Sequence, residues 1–278
     1  MRVSVGNSEC ELFFGKGLVL VSLEAEPLVY GGDYPLKSRD NKFPKTRRIR
    51  LEGYICAGEV RQDDRCREVE LRRVLLSRIT SPGKDFFIRI GDRFADATAG
   101  ELVLKRHTPF SGDETEHFTL TAVIRGGYFR SAMRTVKPRE RIIGGLSLPF
   151  STEGATAFGT CDGTSVIGVR NRGDVPVGFV AEFSPQGTVT SFSLRDTSTG
   201  KYISCSHSFG TGDVIRISTI RDDLRFSVLR GGKEINLTGY ADAGSELFLL
   251  SYGDTVLEIG NGAKFTGNLS YREAFVTF

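Results

Sequence analysis

The chain has 278 residues, 39% of them hydrophobic and 26% charged, with a net charge of +3, values of an ordinary globular protein rather than a disordered one. No apolar run approaches the roughly 20 residues a membrane helix needs. Five scattered cysteines (Cys10, Cys56, Cys66, Cys161 and Cys205), with no C-x-x-C pair, speak against a disulfide framework or a zinc site.

The length exceeds the usual domain of about 100–200 residues, so two domains are expected. Charge divides the same way: residues 1–150 hold 26 Lys and Arg against 20 Asp and Glu, and residues 151–278 hold 11 against 14. Twenty Phe, eight Tyr and 33 Gly with no Trp suit pleated sheet faces joined by tight turns, which makes the expected class mainly β. Residues 1–7 contain no apolar core of signal-peptide length, and the run Gly17 to Leu23 is too short, so a soluble protein made in the cytosol is expected.

In chain order, the first feature is the basic stretch Lys37 to Arg50, with seven bases against one acid. It leads into an alternating strand, Ile49, Leu51, Gly53 and Ile55, whose outer face would carry Arg48 and Arg50. Such an arm can be a solvated loop, a phosphate-binding patch or a subunit contact. No aromatic ladder accompanies it, which disfavours nucleic acid, and Arg is favoured at interfaces. Lys45, Arg47, Arg48 and Arg50 are therefore the candidate interface residues. A helix is predicted over about 64–80, with Leu71, Val74, Leu75 and Ile79 as its apolar stripe, Asp63 or Asp64 as its cap and a Glu68–Arg72 pair. Strands follow at Phe86 to Ile90 and Phe118 to Ile124. The first domain is placed at 1–130, with a junction at 131–150 marked by Pro138, Gly144, Gly145 and Pro149.

The second domain, 151–278, shows short strands at sandwich-like spacing: Val175 to Phe183, Thr190 to Leu194, Val214 to Ile217, Leu224 to Val228, Leu247 to Tyr252, Thr255 to Ile259 and Leu269 to Phe278. Gly231-Gly232 is a hairpin turn.

Catalytic signatures are weak. There are three histidines, and the run Cys205-Ser206-His207-Ser208 puts neighbours on opposite faces of a strand, a poor arrangement for a nucleophile and its base. Most acids of the second half lie at turns, including Asp174, Asp196, Asp213, Asp242 and Asp254, where local hydrogen bonding accounts for them. Arg172-Gly173-Asp174 copies an adhesion tripeptide but reads most simply as a turn. No phosphate-binding loop, cofactor site or metal site is expected.

Several segments occur together in a telling order. Asn171 to Pro176, Gly212 to Thr219, Arg230 to Glu234 and Leu269 to Phe275 succeed one another, after a helix-containing stretch that ends at His117 to Leu120 and Tyr128-Phe129. This succession resembles the distal tail proteins of long-tailed bacteriophages, over nearly the whole chain, with Gly126-Gly127 where the family carries an acidic-proline pair. The resemblance implies a β-sandwich plus one helix in the N-terminal domain and a galectin-like antiparallel β-sandwich in the C-terminal one. It further implies a hexameric ring in the virion, assembled in the host cytoplasm. That ring would join the tail tube to baseplate and receptor-binding proteins, without enzymatic activity, cofactor, membrane or specific nucleic-acid binding. The alternative is a carbohydrate-binding, lectin-like module.

Overall fold

The computed structural model describes residues 2–15, 17–33, 42–56, 65–81, 84–106, 115–144, 159–260 and 265–278. The chain forms two compact units. The described residues of the first lie within 2–132 and 275–278, and those of the second within 133–274.

The first unit is built on one antiparallel sheet. Its strands are β1 (Val3–Gly6), β2 (Glu11–Phe13), β3 (Leu18–Ala25), β4 (Val29–Asp33), β5 (Lys42–Cys56), β6 (Asp85–Ile90), β7 (Arg93–Arg106), β8 (Thr115–Arg125) and β9 (Phe129–Arg130). The main order is β2-β1-β6-β7-β8-β5-β3, with β4 on β5 and β9 on β7. Alternation sorts the faces: Phe118, Leu120, Ala122 and Ile124 of β8 and Ile49, Leu51 and Ile55 of β5 are all fully buried. Strands β1, β3 and β7 have no equivalent among the expected elements: β1 is only four residues long, and β3 and β7 lack a regular alternation of apolar and polar residues.

One α-helix, α1 (Arg65–Ile79), is present among the described residues, and the Glu68–Arg72 pair forms at 3.2 Å. Its buried face differs from the expected stripe. Leu76 and Ile79 are fully buried and Val69 packs against the core, whereas Leu71 and Val74 are 47% and 50% exposed. At 100° per residue, Leu71 and Val74 lie on the side of the helix opposite Val69 and Leu76. Arg72 fixes this rotation by donating to the Cys56 carbonyl at 2.6 Å. The expected Asp63 or Asp64 cap and the stop at Pro82-Gly83 lie outside the described residues.

The second unit consists of two antiparallel sheets. Residues 134–144, read from the sequence as an irregular junction, instead supply β10 (Arg134–Val136) and β11 (Arg139–Gly144). The other strands are β12 (Gly159–Asn171), β13 (Phe179–Pro185), β14 (Phe192–Asp196), β15 (Tyr202–Cys205), β16 (Val214–Ile220), β17 (Asp223–Arg230), β18 (Lys233–Asn236), β19 (Gly253–Gly260) and β20 (Phe265–Tyr271). One sheet runs β10-β20-β13-β16-β17-β18 and the other β11-β12-β19-β14-β15. The fold class is thus mainly β, as the Phe and Gly content predicts.

Large aromatic residues fill this unit's core: Phe192 lies between Phe183 at 5.5 Å and Phe265 at 5.3 Å, and Phe179 meets Phe248 at 5.6 Å. Two expected strands change. Leu247 to Tyr252 is irregular apart from a single bridge from Leu250 to Val177, although Phe248 and Leu250 are still buried. The strand predicted from Val175 starts at Phe179, after Pro176 interrupts it. The final segment breaks after β20, and a short β21 (Ala274–Phe275) pairs with β9.

Turn carboxylates hold this unit's loops. Asp213 is buried and accepts from Arg230 Nε at 2.9 Å, Arg230 Nη2 at 2.7 Å and the Gly210 N–H at 2.8 Å. The bonds from the Arg230 guanidinium hold the Asp213 carboxyl below the usual carboxylate range. A carboxyl depressed in the fold contributes stability above its unfolded value, and that contribution disappears as pH falls through the folded value. Asp213→Asn is therefore expected to lower the urea midpoint at pH 7 and to differ little from the parent in strong acid. Equal deficits at both pH values would show that the charge is not the cause.

Candidate interaction surfaces

The expected basic set divides over the two faces of β5. Arg48 and Arg50 are exposed on the face opposite Ile49 and Leu51, and Arg50 forms an ion pair with Glu52. In register, Arg50 lies between Glu24 of β3 and Thr121 of β8. Arg47 has the parity of the buried residues and is half-buried. Its Nε donates to the Glu26 carbonyl at 2.7 Å and its Nη1 to the Val276 carbonyl at 2.5 Å. Arg47 thereby ties the last residues of the chain to the first unit. The Lys45 side chain lies outside the described residues.

The outer face of the same sheet carries an apolar strip. Val19 is 41%, Val21 63% and Tyr54 38% exposed, and Val19 and Tyr54 are direct cross-strand partners. Tyr54 meets the His117 ring edge-on at 5.3 Å. β3 is the last strand on its side of the sheet path, so the strip borders a sheet edge. Sequence reading missed Val19 and Val21 because an isolated apolar run does not disclose which face it takes.

In the second unit, the residues that hinted at chemistry have structural roles. Burial and the nearby Asp242 charge push the Cys205 thiol up to about 11, which disfavours a nucleophilic thiolate. His207 packs between Phe209 at 5.2 Å and Tyr240 at 4.7 Å. Burial raises the Asp196 carboxyl, but hydrogen bonds from the Ser198 and Thr199 hydroxyls and N–H groups outweigh it and lower the pKa. The Arg172-Gly173-Asp174 turn is anchored: Asn171 accepts from the Gly173 N–H at 3.0 Å and Glu273 from the Arg172 N–H at 3.1 Å. A Cβ on Gly173 would lie 2.5 Å from the Ala274 carbonyl oxygen, so the glycine serves close packing. Glu273 is itself buried and paired with Arg134 at 3.1 Å.

An open groove of about 450 Å³ lies on β14 and β15 of this unit, lined by Phe192, Ser193, Arg195, Tyr202, Ser204 and Asp242. Among the described residues no group of three or more His, Cys, Asp or Glu is placed to hold a metal ion, and no helix is long and apolar enough to cross a membrane.

The first unit thus exposes an apolar and basic strip, and the second unit's turn carboxylates are engaged in local hydrogen bonds. Residues 172–275 match the family model described as siphovirus-type tail component, C-terminal domain. Residues 172–275 are thus similar to the C-terminal domain of siphovirus-type tail components. Among solved structures it is similar to the Dit protein of phage SPP1, at 13% identity over 93% of both chains with a TM-score of 0.58. That protein is described as a paradigm of hub adsorption apparatus in Gram-positive infecting phages. Chains of the phage P2 baseplate in its activated conformation are also similar. The form with Ca gives 14% identity over 98% of this chain and 97% of that one, with a TM-score of 0.47. The form with Sr gives 14% over 97% of both, with a TM-score of 0.43. No curated protein matches the chain.

Proposed function

We propose that the protein is a distal tail hub that closes as a hexameric ring and joins the tail tube to the baseplate or receptor-binding apparatus. The match of residues 172–275 to the tail-component family carries this reading. The fold shared with the SPP1 hub protein supports it. The first unit offers the ring contacts. Val19, Val21 and Tyr54, together with Leu71 and Val74 on α1, leave apolar surface in water in an isolated copy, and a neighbouring subunit would cover it. Arg48 and Arg50 supply a charged rim on the same sheet face as Val19 and Tyr54, where Arg is the cation most suited to interfaces. The second unit serves as the docking platform, and the role is structural rather than catalytic. Free thiols at Cys10, Cys56 and Cys205 suit assembly in the reducing host cytoplasm.

Sedimentation or light scattering tests the ring, with a mass near six times 30.5 kDa expected for the protein alone or with tail partners. The double variant Arg48→Glu/Arg50→Glu is expected to weaken association about tenfold while leaving the monomer folded. Arg47 is kept in that variant because its bonds are internal. A monomer that binds neither tube nor baseplate protein would sink the reading.

A further inference from the structure

We infer that the groove on β14 and β15 is a binding site for an uncharged saccharide. No part of the tail-hub reading requires this, since a single copy carries the whole groove.

The groove is built rather than incidental. Residues 241–246 run beside β15 and are bonded to it at two backbone positions: the Asp242 N–H donates to the Ser204 carbonyl at 3.1 Å, and the Glu246 N–H to the Tyr202 carbonyl at 2.9 Å. Side chains lock the same wall. The Tyr202 hydroxyl donates to the Ala243 carbonyl at 2.9 Å, and the Ser245 hydroxyl accepts from the Ser204 N–H at 3.0 Å. The Ser204 and Ser206 hydroxyls donate to the two Asp242 oxygens at 2.7 and 2.9 Å. Asp242 is therefore fixed in orientation, with acceptor capacity left on both oxygens.

Opposite this wall stands Arg195 of β14, cross-strand to Tyr202 and exposed, with no hydrogen bond or ion pair among the described residues. Its donor fork is free for a ligand. Ser193, cross-strand to Ser204, adds a hydroxyl able to donate or accept.

Chemistry selects the ligand class. One cation and one carboxylate cancel, so neither an anion nor a cation gains from the local field. Donors, acceptors and hydroxyls alternate within a preformed space of about 450 Å³, which lies in the size range of small-ligand sites. A ring bearing adjacent hydroxyls, each both donor and acceptor, matches such a wall. Bidentate contacts from Arg195 and Asp242 to vicinal hydroxyl pairs would orient it.

The test uses the full chain on an array of defined neutral and anionic oligosaccharides with gluco, galacto, rhamno and N-acetylhexosamine units. Hits are then titrated calorimetrically at low and high salt. Expected is binding of a neutral saccharide with a monovalent Kd of about 1 mM, nearly independent of salt. Arg195→Ala and Asp242→Asn should each weaken it about tenfold or more, whereas Arg170→Ala on β12 should not. Arg195→Ala removes an unpaired exposed side chain, so it decides the question even if Asp242→Asn fails to fold. Its mass in solution should match the parent's, which separates this test from that of the ring. No hit on the array, a hit unchanged by Arg195→Ala, or Arg195→Ala losing a baseplate protein instead of a saccharide would each overturn the proposal.

Discussion

Removal of Phe275–Phe278 is expected to destabilise the first unit by about 5 kcal/mol, a large part of the roughly 5–15 kcal/mol that holds a domain together. These four residues come last in the chain yet belong to the unit built at its beginning. Arg93 stacks over the Phe275 ring at 3.8 Å and its Nη1 donates to the Thr277 carbonyl at 2.8 Å. Arg47 holds the Val276 carbonyl, and Phe278 meets the fully buried Phe129 edge-on at 5.7 Å. Deleting the segment uncovers Phe129 and removes one carbonyl partner each from Arg47 and Arg93. Loss of a buried phenyl alone costs about 3–5 kcal/mol, and each charge-assisted bond adds about 1.5–3 kcal/mol before solvent takes its place. Hydrogen exchange should show faster opening of β5 and β8 with the second unit's amides unchanged. Phe275→Ala should give a smaller effect of the same pattern. Undiminished protection of β5 in the truncated chain would rule this account out. The same contacts explain why charge reversal at Arg47 would disturb folding before it disturbed association.

Gly53→Val is expected to prevent the first unit from reaching its native sheet. Gly53 occupies an inward position of β5, opposite Phe118, where a Cβ would lie 2.0 Å from the Val19 carbonyl oxygen and 2.7 Å from the Phe118 ring. The ring cannot retreat, because Phe118 is fully buried, and the Val19 carbonyl belongs to the neighbouring backbone of β3. Relief requires parting β3 from β5, which breaks a ladder of hydrogen bonds and opens the core, so the cost exceeds the 1–3 kcal/mol or so of ordinary overpacking. Gly15→Ala is the control, since nothing lies within 4 Å of its Cβ position. Expression in soluble form and circular dichroism would read both. A Gly53→Val protein melting like its parent would show that β3 can shift without penalty.

Legibility followed the range of the interaction. Strands such as β8 and β13 were readable because alternation is a local, period-two property, and their buried positions are apolar apart from Glu116 at the start of β8. The helix was readable in extent but not in rotation. Leu71, Val74, Leu75 and Ile79 form a valid stripe, yet Arg72 reaching Cys56 turns Leu71 and Val74 outward. Periodicity cannot separate a stripe meant for the chain's own core from one left for a partner. The groove was illegible for a related reason. Asp242 and Ser204 looked like turn and strand residues, and they meet only because 241–246 lies alongside β15, 38 residues away in sequence.

By itself, then, the sequence determined a mainly β chain with one helix, a charge-divided pair of halves and a family resemblance, because composition, alternation and motif order are properties of neighbouring residues. The tertiary structure alone decided that Arg47 turns inward while Arg48 and Arg50 face out, that the chain's end returns to its first unit, and that Arg195 stands across a groove from Asp242. Those outcomes rest on contacts as distant as Arg47 with Val276, 229 residues apart, and only packing of the folded chain selects among such partners.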